Sequence, residues 1–220
     1  LIKMGAKIEG HGTKTILVQG VTKLKKAEHE IISDRIVAGT YIIAALMLNS
    51  ALEINNFNTI YLKSLIDILK KMGAKLKVSK NSIKVSKGSK LKSTSLSTSP
   101  YPGFPTDLQA QLMSLMCISD GKSKIKETIF ENRFMHVPEL NRLGANITVE
   151  KDTATIIGNQ TFKGAQVMAS DLRASISLVL AAMNANGQTT LNRVYHLDRG
   201  YENIEKTLGS LGVKIKRQKN

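Results

Sequence analysis

Length, composition and charge limit what the chain can be. It has 220 residues, 42% of them apolar and 5% aromatic, with one cysteine and a formal net charge of +15. That apolar content supports one or two packed cores and excludes a disordered chain, and the single cysteine excludes an internal disulfide framework and favours a reducing cytosol. The positive charge points to anionic partners, either nucleic acids or anionic metabolites, although the few scattered aromatic residues argue against a base-stacking platform.

The chain opens with the sequence of a last helical turn, Leu1–Gly5, followed by a strand. Because it begins at a leucine inside such a turn, we expect the 220 residues to be a fragment of a longer protein. The longest apolar run, Ile36–Leu48, is interrupted by Gly39 and Thr40 and is too short to span a bilayer, so no membrane association is predicted.

Internal repetition is the strongest organisational signal. Similar sequence recurs at spacings of 68, 71 and 68 residues around Gly5, Gly73, Gly144 and Gly212. Each glycine is predicted to end a helix in the left-handed conformation before an alternating strand. Hairpin turns are predicted near His11-Gly12, Lys80-Asn81 and Lys151-Asp152. After the last glycine the sequence offers only one strand, Val213–Ile215, without a hairpin partner.

The repeats also begin alike, with a hydroxyl residue and an aspartate at Ser33-Asp34, Thr106-Asp107 and Ser170-Asp171. Each pair precedes an almost wholly apolar segment that is predicted to be a buried helix: Ile36–Leu48, Leu108–Ile118 and Leu172–Met183. The hydroxyl residue is predicted to cap each helix, and Gln109 completes a capping box with Thr106 that leaves Asp107 in the first turn. If the helices run parallel about a pseudo-threefold axis, their N-termini form an anion-binding surface.

These patterns predict a unit of buried helix, strand, amphipathic helix, strand and strand, about 70 residues long. Residues 1–32 are interpreted as the tail of a preceding unit. Residues 33–220 are interpreted as one domain, with repeats at about 33–100, 101–168 and 169–220.

Several familiar kinds of site are not indicated. The four histidines have no metal-ligand spacing, and no P-loop or dinucleotide fingerprint occurs, so neither a metal nor a cofactor is predicted. Cys117 lies in an apolar segment and is predicted to be a packed thiol rather than a nucleophile. Lysines that alternate with apolar residues, as in Lys75–Val78, indicate solvated strand faces.

Arginine is the informative cation, because lysine supplies most of the positive charge and only arginine offers a planar fork for oxyanions. Arg133, Arg173 and Arg199 lie in polar segments beside predicted helix starts, whereas Arg142 and Arg193 are interpreted as surface residues. Together with the aspartates at the second and third helix starts, the first three arginines predict a site for a multiply anionic substrate.

Four segments carry a family resemblance: Pro102–Gln111 (PGFPTDLQAQ), Phe130–Leu140 (FENRFMHVPEL), Asp171–Ser175 (DLRAS) and Tyr195–Glu202 (YHLDRGYE). They resemble the UDP-N-acetylglucosamine 1-carboxyvinyltransferase family, the enolpyruvyl transferases of the first committed step of peptidoglycan synthesis. The similarity runs from residue 1 to 220 and corresponds to the C-terminal half of that family. It implies the enolpyruvyl transferase fold, an α+β fold in which three βαβαββ-like repeats form an inside-out α/β barrel, with one domain complete here and the tail of a second.

The resemblance also implies a reaction. Enolpyruvate passes from phosphoenolpyruvate to the 3-hydroxyl of UDP-N-acetylglucosamine by addition and elimination, and phosphate is released. Asp107 matches the acid that contacts this hydroxyl and takes its proton. The other implied site positions are a catalytic acid (Asp171), a phosphoenolpyruvate ligand (Arg199), two supporting arginines (Arg133 and Arg173) and a residue whose main chain holds the nucleotide sugar (Ile129).

The implied partners are the two substrates and the missing N-terminal half of the same protein, with no cofactor, metal, nucleic acid or membrane. The implied setting is cell-wall biogenesis in the cytoplasm, which serves cell shape and division. The family's loop cysteine or aspartate belongs to the half that is not present here, and Cys117 does not match it. The chain is therefore expected to supply one wall of a site and to be inactive alone.

Three alternatives stay open. The shikimate-pathway enolpyruvyl transferase shares the fold and is the nearest, although the Phe130–Leu140 segment argues against it. A basic nucleic-acid-binding repeat domain would explain the charge and would bind RNA with a steep salt dependence. The third alternative is an inert structural half.

Overall fold

A short hairpin opens the chain. In the computed structural model, which describes residues 1–218, a 3-10 turn at Ile2–Met4 precedes strands β1 (Lys7–Glu9) and β2 (Leu17–Gln19). The strands pair antiparallel, so the hairpin predicted near His11-Gly12 is confirmed. Residues 1–33 form a unit of their own in which no residue is buried. The boundary predicted after residue 32 lies one residue before the end of this unit.

The first full repeat follows the predicted order of elements. It contains α1 (Arg35–Met47), β3 (Leu52–Asn55), a 3-10 turn (Thr59–Leu62), α2 (Lys63–Lys71), β4 (Leu76–Val78) and β5 (Ser82–Val85). The sheet order is β3-β5-β4, with both pairs antiparallel, and the β4–β5 hairpin turns where it was predicted, near Lys80-Asn81. Leu65, Ile66 and Leu69 lie on the apolar face of α2 and are buried, as the amphipathic pattern of this helix predicts.

The second repeat is the most complete. It contains β6 (Ser95–Ser97), a 3-10 turn (Thr106–Leu108), α3 (Gln109–Ile118), β7 (Lys122–Lys126), α4 (Val137–Arg142), β8 (Asn146–Glu150) and β9 (Thr153–Ile157). The sheet order is β6-β7-β9-β8, and β6 runs parallel to β7. The β8–β9 hairpin confirms the turn predicted near Lys151-Asp152.

The third repeat departs from the prediction after its second strand. It contains β10 (Gln166–Met168), α5 (Leu172–Met183), β11 (Thr190–Asn192), α6 (Tyr195–Asp198) and α7 (Ile204–Ser210). The strand predicted at Val213–Ile215 is wrong, because residues 213–218 have no regular structure. A strand needs hydrogen bonds from a neighbour, and within residues 1–218 β11 pairs with β10 alone. Val213 and Ile215 instead pack partly buried against Leu208 and its neighbours.

The repeated glycines take the predicted left-handed conformation. Their φ angles are 98° at Gly5, 98° at Gly73, 101° at Gly144 and 93° at Gly212. Residues with a β-carbon adopt such angles rarely, which explains why glycine stands at the end of each helix or helical turn.

The three apolar helices form the centre of the domain, and the sheets lie outside them. α3 packs against both α1 and α5, and almost every side chain of α3 is buried. At the far ends of the helices, the Asn184 side-chain amide donates to the Met47 carbonyl at 2.9 Å, which joins the C-terminus of α5 to that of α1. The N-termini meet at the opposite end, where Asp107 in the turn before α3 contacts Arg173 in the first turn of α5, so the predicted parallel arrangement is confirmed.

Candidate functional site

A carboxylate held by two arginines lies where the helix N-termini meet. Asp107 Oδ1 accepts a hydrogen bond from Arg133 Nη2 at 3.0 Å, and Asp107 Oδ2 accepts one from Arg173 Nη2 at 2.9 Å. The side chains of Asp107, Arg133 and Arg173 are 39%, 24% and 19% exposed, so the cluster is open on one side. Two guanidinium charges against one carboxylate leave an excess positive charge and further N–H donors, which suits an anionic ligand.

The aspartates that begin the other two buried helices are used differently. Asp34 Oδ1 accepts from the amides of the second and third residues of α1, at 2.7 and 3.2 Å, and Asp171 Oδ1 does the same for α5, at 2.8 and 3.0 Å. These aspartates are the N-cap residues, so the prediction that Ser33 and Ser170 cap the helices is wrong. The cap is the residue immediately before the first helical one, and α1 and α5 begin one residue later than that prediction requires.

The capping box predicted for Thr106 and Gln109 does not form either. The helix is entered through a 3-10 turn with Pro105 at its N-cap, and Thr106 Oγ1 donates instead to Glu127 Oε2 at 2.8 Å. Both polar atoms of the buried Gln109 side chain are without a partner within residues 1–218. Because a carboxylate is a strong acceptor, it takes the hydroxyl that would otherwise cap the helix. Asp107 does not cap the helix, and both of its carboxylate oxygens accept hydrogen bonds from the arginines.

Glu127 is a buried residue of the site that sequence reasoning missed. Its Oε1 accepts from the Thr98 hydroxyl at 2.8 Å and from the amides of Ile129 and Phe130 at 2.9 and 3.3 Å, while its Oε2 accepts from Thr106. The residue is 4% exposed. The sequence did contain a signal, because alternate residues of β7 are buried and the same period places Glu127 inside.

A cleft of about 940 Å³ lies beside Ile129 and Arg133. Its lining includes Phe130, Met135 and Lys151, and the Arg133 guanidinium stands 5.4 Å from the centre of the Phe130 ring, a cation–π distance. The backbone amide of Ile129 already donates to Glu127. A ligand can therefore bind the main chain of Ile129 only through its carbonyl.

Half-buried Asp171 and buried His136 lie near Arg133 at the margin of the site. Burial raises the pKa of Asp171, but the amides of Ala174 and Arg173 and the charge of Arg133 together outweigh it, so this pKa lies below its usual value. Asp171 is therefore ionised at neutral pH. Burial lowers the pKa of His136 to about 4, although nearby Asp171 opposes the shift. His136 is neutral, and its Nε2 has no hydrogen-bond partner within the described chain.

A second polar network lies under Asp107. The Gln111 side-chain amide donates to the Asp107 carbonyl at 2.9 Å and to Thr40 Oγ1 at 3.3 Å, and Thr40 Oγ1 lies 2.7 Å from the Tyr201 hydroxyl. These bonds join α1, α3 and the segment after α6. Burial raises the pKa of Tyr201, against the lowering effect of its bond to Thr40. The network thereby fixes the backbone of Asp107 from beneath.

Arg199 is the predicted site residue that the structure does not bring into direct contact with the others. It follows α6 and is exposed, and although its backbone amide donates to the Leu197 carbonyl, its guanidinium makes no hydrogen bond or ion pair with another residue of 1–218. Its neighbour Asp198 is engaged by Arg217, at 2.9 and 2.6 Å, so the Arg199 charge is not consumed by the adjacent acid. Arg142 and Arg193 are exposed, as predicted.

Within residues 1–218 no group of three or more histidine, cysteine, aspartate or glutamate side chains is placed to hold a metal ion. Burial raises the pKa of the Cys117 thiol to about 12, which confirms that it is a packed thiol and not a nucleophile. No helix in the described part of the chain combines the length and apolar character needed to cross a bilayer.

Comparison with known proteins extends these findings. The family model described as EPSP synthase (3-phosphoshikimate 1-carboxyvinyltransferase) matches residues 1–208. Proteins named UDP-N-acetylglucosamine 1-carboxyvinyltransferase from Pelagibacter ubique and Azorhizobium caulinodans are 51% and 52% identical to the chain over 99% of its length, covering 52% and 51% of those proteins. The chain thus spans about half the length of the curated relatives it matches.

Solved structures agree with the fold described above. The enolpyruvyl transferase NikO from Streptomyces tendae matches with a TM-score of 0.88 and 29% identity, over 98% of this chain and 52% of that one. EPSP synthase from Acinetobacter baumannii matches with a TM-score of 0.76 over 100% of this chain and 54% of that one, and at 18% identity this likeness shows the fold alone. The predicted enolpyruvyl transferase fold is confirmed, and by the match over residues 1–208 the chain belongs to the EPSP synthase (3-phosphoshikimate 1-carboxyvinyltransferase) family.

Proposed function

We propose that the chain is the C-terminal half of an enolpyruvyl transferase that moves enolpyruvate from phosphoenolpyruvate to the 3-hydroxyl of UDP-N-acetylglucosamine and releases phosphate. The observation that carries the proposal is the Asp107 carboxylate held between Arg133 and Arg173 at the meeting point of three helix N-termini. The names of the relatives that are half identical to the chain support the choice of substrates.

In this reaction Asp107 contacts the sugar 3-hydroxyl. Each oxygen of an ionised carboxylate can accept more than one hydrogen bond, so Asp107 can receive the substrate hydroxyl while it remains bonded to Arg133 and Arg173. The arginines fix the direction of the carboxylate, and the carboxylate takes the hydroxyl proton as the oxygen bonds to C2 of phosphoenolpyruvate. The carbon–carbon double bond is used in this addition, and its methylene carbon takes up a proton. In the elimination that follows, the same carbon loses a proton, the double bond forms again and the C–O bond to phosphate breaks.

The remaining site residues serve the charges of the substrates. Arg133 and Arg173 supply positive charge where carboxylate and phosphate are bound. Arg199, whose exposed guanidinium has no partner in residues 1–218, is the phosphoenolpyruvate ligand. Asp171 is ionised at neutral pH because its pKa is low, so it acts as a carboxylate and not as a proton donor. The carbonyl of Ile129 accepts from the nucleotide sugar.

The proposed enzyme needs a second wall, which an N-terminal half, within the part of the relatives' length that this chain does not match, would supply. Residues 1–32 would then be the tail of that other domain, and residues 33–220 the C-terminal domain. We use "full-length protein" for this chain joined to such an N-terminal half. Its place would be the cytoplasm, in cell-wall synthesis, and it would need no cofactor.

Substrate choice tests the function. The family model is named for a transferase that acts on 3-phosphoshikimate, so the two acceptors must be compared directly. The full-length protein should release phosphate from phosphoenolpyruvate with UDP-N-acetylglucosamine and not with 3-phosphoshikimate. Phosphate release with 3-phosphoshikimate alone would establish the alternative reaction, and release with neither would overturn the proposal.

The role of Arg199 is tested by Arg199→Lys, which keeps the charge and removes the planar fork. KM for phosphoenolpyruvate should rise, while KM for the nucleotide sugar should stay near that of the wild type. Arg193→Lys, at another exposed arginine of the same repeat, is the control. An equal rise in both KM values would contradict the assignment.

A further inference from the structure

We propose that Glu127 is a positioning residue, whose buried carboxylate holds the segment that carries Asp107 and the main chain of Ile129 in one fixed arrangement. The nucleotide sugar then binds the main chain of Ile129 and is activated by the carboxylate of Asp107, and these two groups cannot move independently of each other. The inference rests on the proposed function, because it concerns the geometry of that same site.

The directions of the hydrogen bonds show that Glu127 acts only as an acceptor. The Thr98 hydroxyl accepts from the Thr128 amide at 2.8 Å, so its own proton is directed to Glu127 Oε1 at 2.8 Å. The amides of Ile129 and Phe130 can only donate. With the Thr106 hydroxyl on Oε2, four donors surround one carboxylate group.

The four donors belong to three separate stretches of the chain. Thr98 follows β6, Thr106 begins the turn into α3, and Ile129 and Phe130 lie in the loop between β7 and α4. A buried carboxylate is unfavourable unless it is fully hydrogen-bonded, so the stretches must keep their places for the group to be tolerated. Glu127 therefore specifies the relative position of the stretches, which an apolar residue in its place would not do.

The link reaches both substrate-binding groups through short covalent paths. Thr106 is the residue before Asp107, and consecutive Cα atoms are held about 3.8 Å apart, so a shift of Thr106 moves Asp107. On the other side, Glu127 fixes the amide of Ile129 and so orients the peptide planes around it. A misplacement of about 1 Å at a reacting group can cost about 10²-fold in rate, which makes this link worth testing.

Thr106→Val in the full-length protein removes only the hydroxyl that joins the Asp107 segment to Glu127. The value of kcat/KM for UDP-N-acetylglucosamine should fall about 10- to 100-fold, with KM for phosphoenolpyruvate changed less than about threefold. Thr106→Ser keeps the hydroxyl and should restore the wild-type values. Thr59→Val is the matched control, because the buried Thr59 hydroxyl donates to the Ser79 carbonyl at 2.7 Å in the first repeat, outside the site.

Glu127→Gln separates positioning from a direct action of charge. Its amide nitrogen can face Thr106, whose hydroxyl is free to turn and accept, while the amide oxygen keeps the donors on the other side. We expect Glu127→Gln to lose less than Thr106→Val. If Glu127→Gln abolished turnover while Thr106→Val did not, Glu127 would act through its charge and the positioning role would be refuted.

Melting temperatures complete the test. Thr106→Val and Thr59→Val should melt within a few degrees of each other, and only Thr106→Val should change the sugar kinetics. An unchanged kcat/KM for the nucleotide sugar in Thr106→Val, or a rise in KM for phosphoenolpyruvate as large as that for the nucleotide sugar, would overturn the inference while leaving the proposed function intact. A wild-type protein without transferase activity would overturn both.

Discussion

At the scale of the residue, the partner of each acid decides its role. One carboxylate oxygen of Asp34 and one of Asp171 accept hydrogen bonds from helix amides. Both carboxylate oxygens of Asp107 instead accept hydrogen bonds from arginine. A capping carboxylate has its direction set by the helix, and an ion-paired one has its direction set by Arg133 and Arg173. Asp107 is therefore the acid whose removal should affect chemistry more than folding.

Asp107→Asn tests this in the full-length protein. The amide keeps one acceptor oxygen and the shape of the side chain but loses the charge, so turnover should fall about 10²- to 10⁴-fold, as for a positioned acid or base. Phosphate release would measure turnover, and thermal melting would show that folding is preserved. Asp67→Asn, at an exposed acid paired with Lys63, is the control. Turnover within about threefold of wild type would refute the assigned role.

His136 makes stability depend on pH. Its pKa is lowered to about 4 in the folded chain, against 6.5 when exposed, so the unfolded chain binds a proton that the folded chain rejects. The free energy of unfolding is therefore unaffected by the titration of His136 above pH 6.5. It falls by about 2–3 kcal/mol as the pH decreases from 6.5 towards 4.

Hydrogen exchange of α5 amides in urea, between pH 4 and 7, measures this dependence for the domain within the full-length protein. His136→Gln should flatten the slope between pH 4 and 6.5, whereas His29→Gln, at an exposed histidine, should leave it unchanged. Equal slopes in wild type and His136→Gln would show that the buried imidazole is not the titrating group.

Sequence reasoning identified most of this site but not how it is held. Asp107, Arg133 and Arg173 were predicted to lie on one face, and they are in contact. The contact of Thr106 with Glu127 could not be predicted, because the partner lies 21 residues away and the hydroxyl had an equally good local use as a cap. Local patterns specify nearby bonds, whereas choices between acceptors depend on the folded structure.

At the scale of the element, the three repeats share a plan and differ in how each buried helix begins. The extent of the apolar segments predicted the helices to within about two residues, since apolar residues on every side require burial. The short strands β6 and β10 were missed as separate signals because a segment of three residues is too short to show a period. The false strand at Val213–Ile215 shows the converse, since alternation without a neighbouring strand does not make a sheet.

Asp34→Ala tests the cap of α1. Removal of the side chain leaves the amides of Ile36 and Val37 without an acceptor and should cost about 1 kcal/mol of stability, within a usual range of about 0.5–2. Hydrogen exchange of α1 amides in the full-length protein would measure the loss. Asp34→Ser retains a capping oxygen and should recover most of it. A similar loss in Asp34→Ser would mean that the carboxylate charge, and not the cap, is what α1 needs.

At the scale of the whole molecule, the site is open to solvent, because its charged cluster lies beside an open cleft and not in an enclosed cavity. The Asp107 side chain is 39% exposed, and Arg199 is exposed as well. Electrostatic catalysis gains most where water is excluded, so a site of this kind has to be covered before it can act. The charge and motif patterns predicted an anionic substrate, but the covering surface could not be derived from residues that do not form it.

The 220 residues alone should therefore release no phosphate from the two substrates. Addition of the N-terminal half as a separate polypeptide should restore release and raise the melting temperature, by mass action on the folded state. Serum albumin at the same concentration would control for nonspecific protection. Full activity of the isolated chain would contradict the need for a second wall.

The burial of Cys117 has a consequence for experiments on motion. It is the sole thiol of the chain, it is fully buried in α3, and its pKa is about 12. A thiol reagent can therefore modify the native chain only when α3 opens. The rate of labelling thus measures how often this helix, which begins beside Asp107, opens locally. Nucleotide sugar bound at Asp107 should slow the labelling in proportion to its occupancy. Any rapid loss of activity that a thiol reagent causes in the full-length protein would then arise at a cysteine outside these 220 residues.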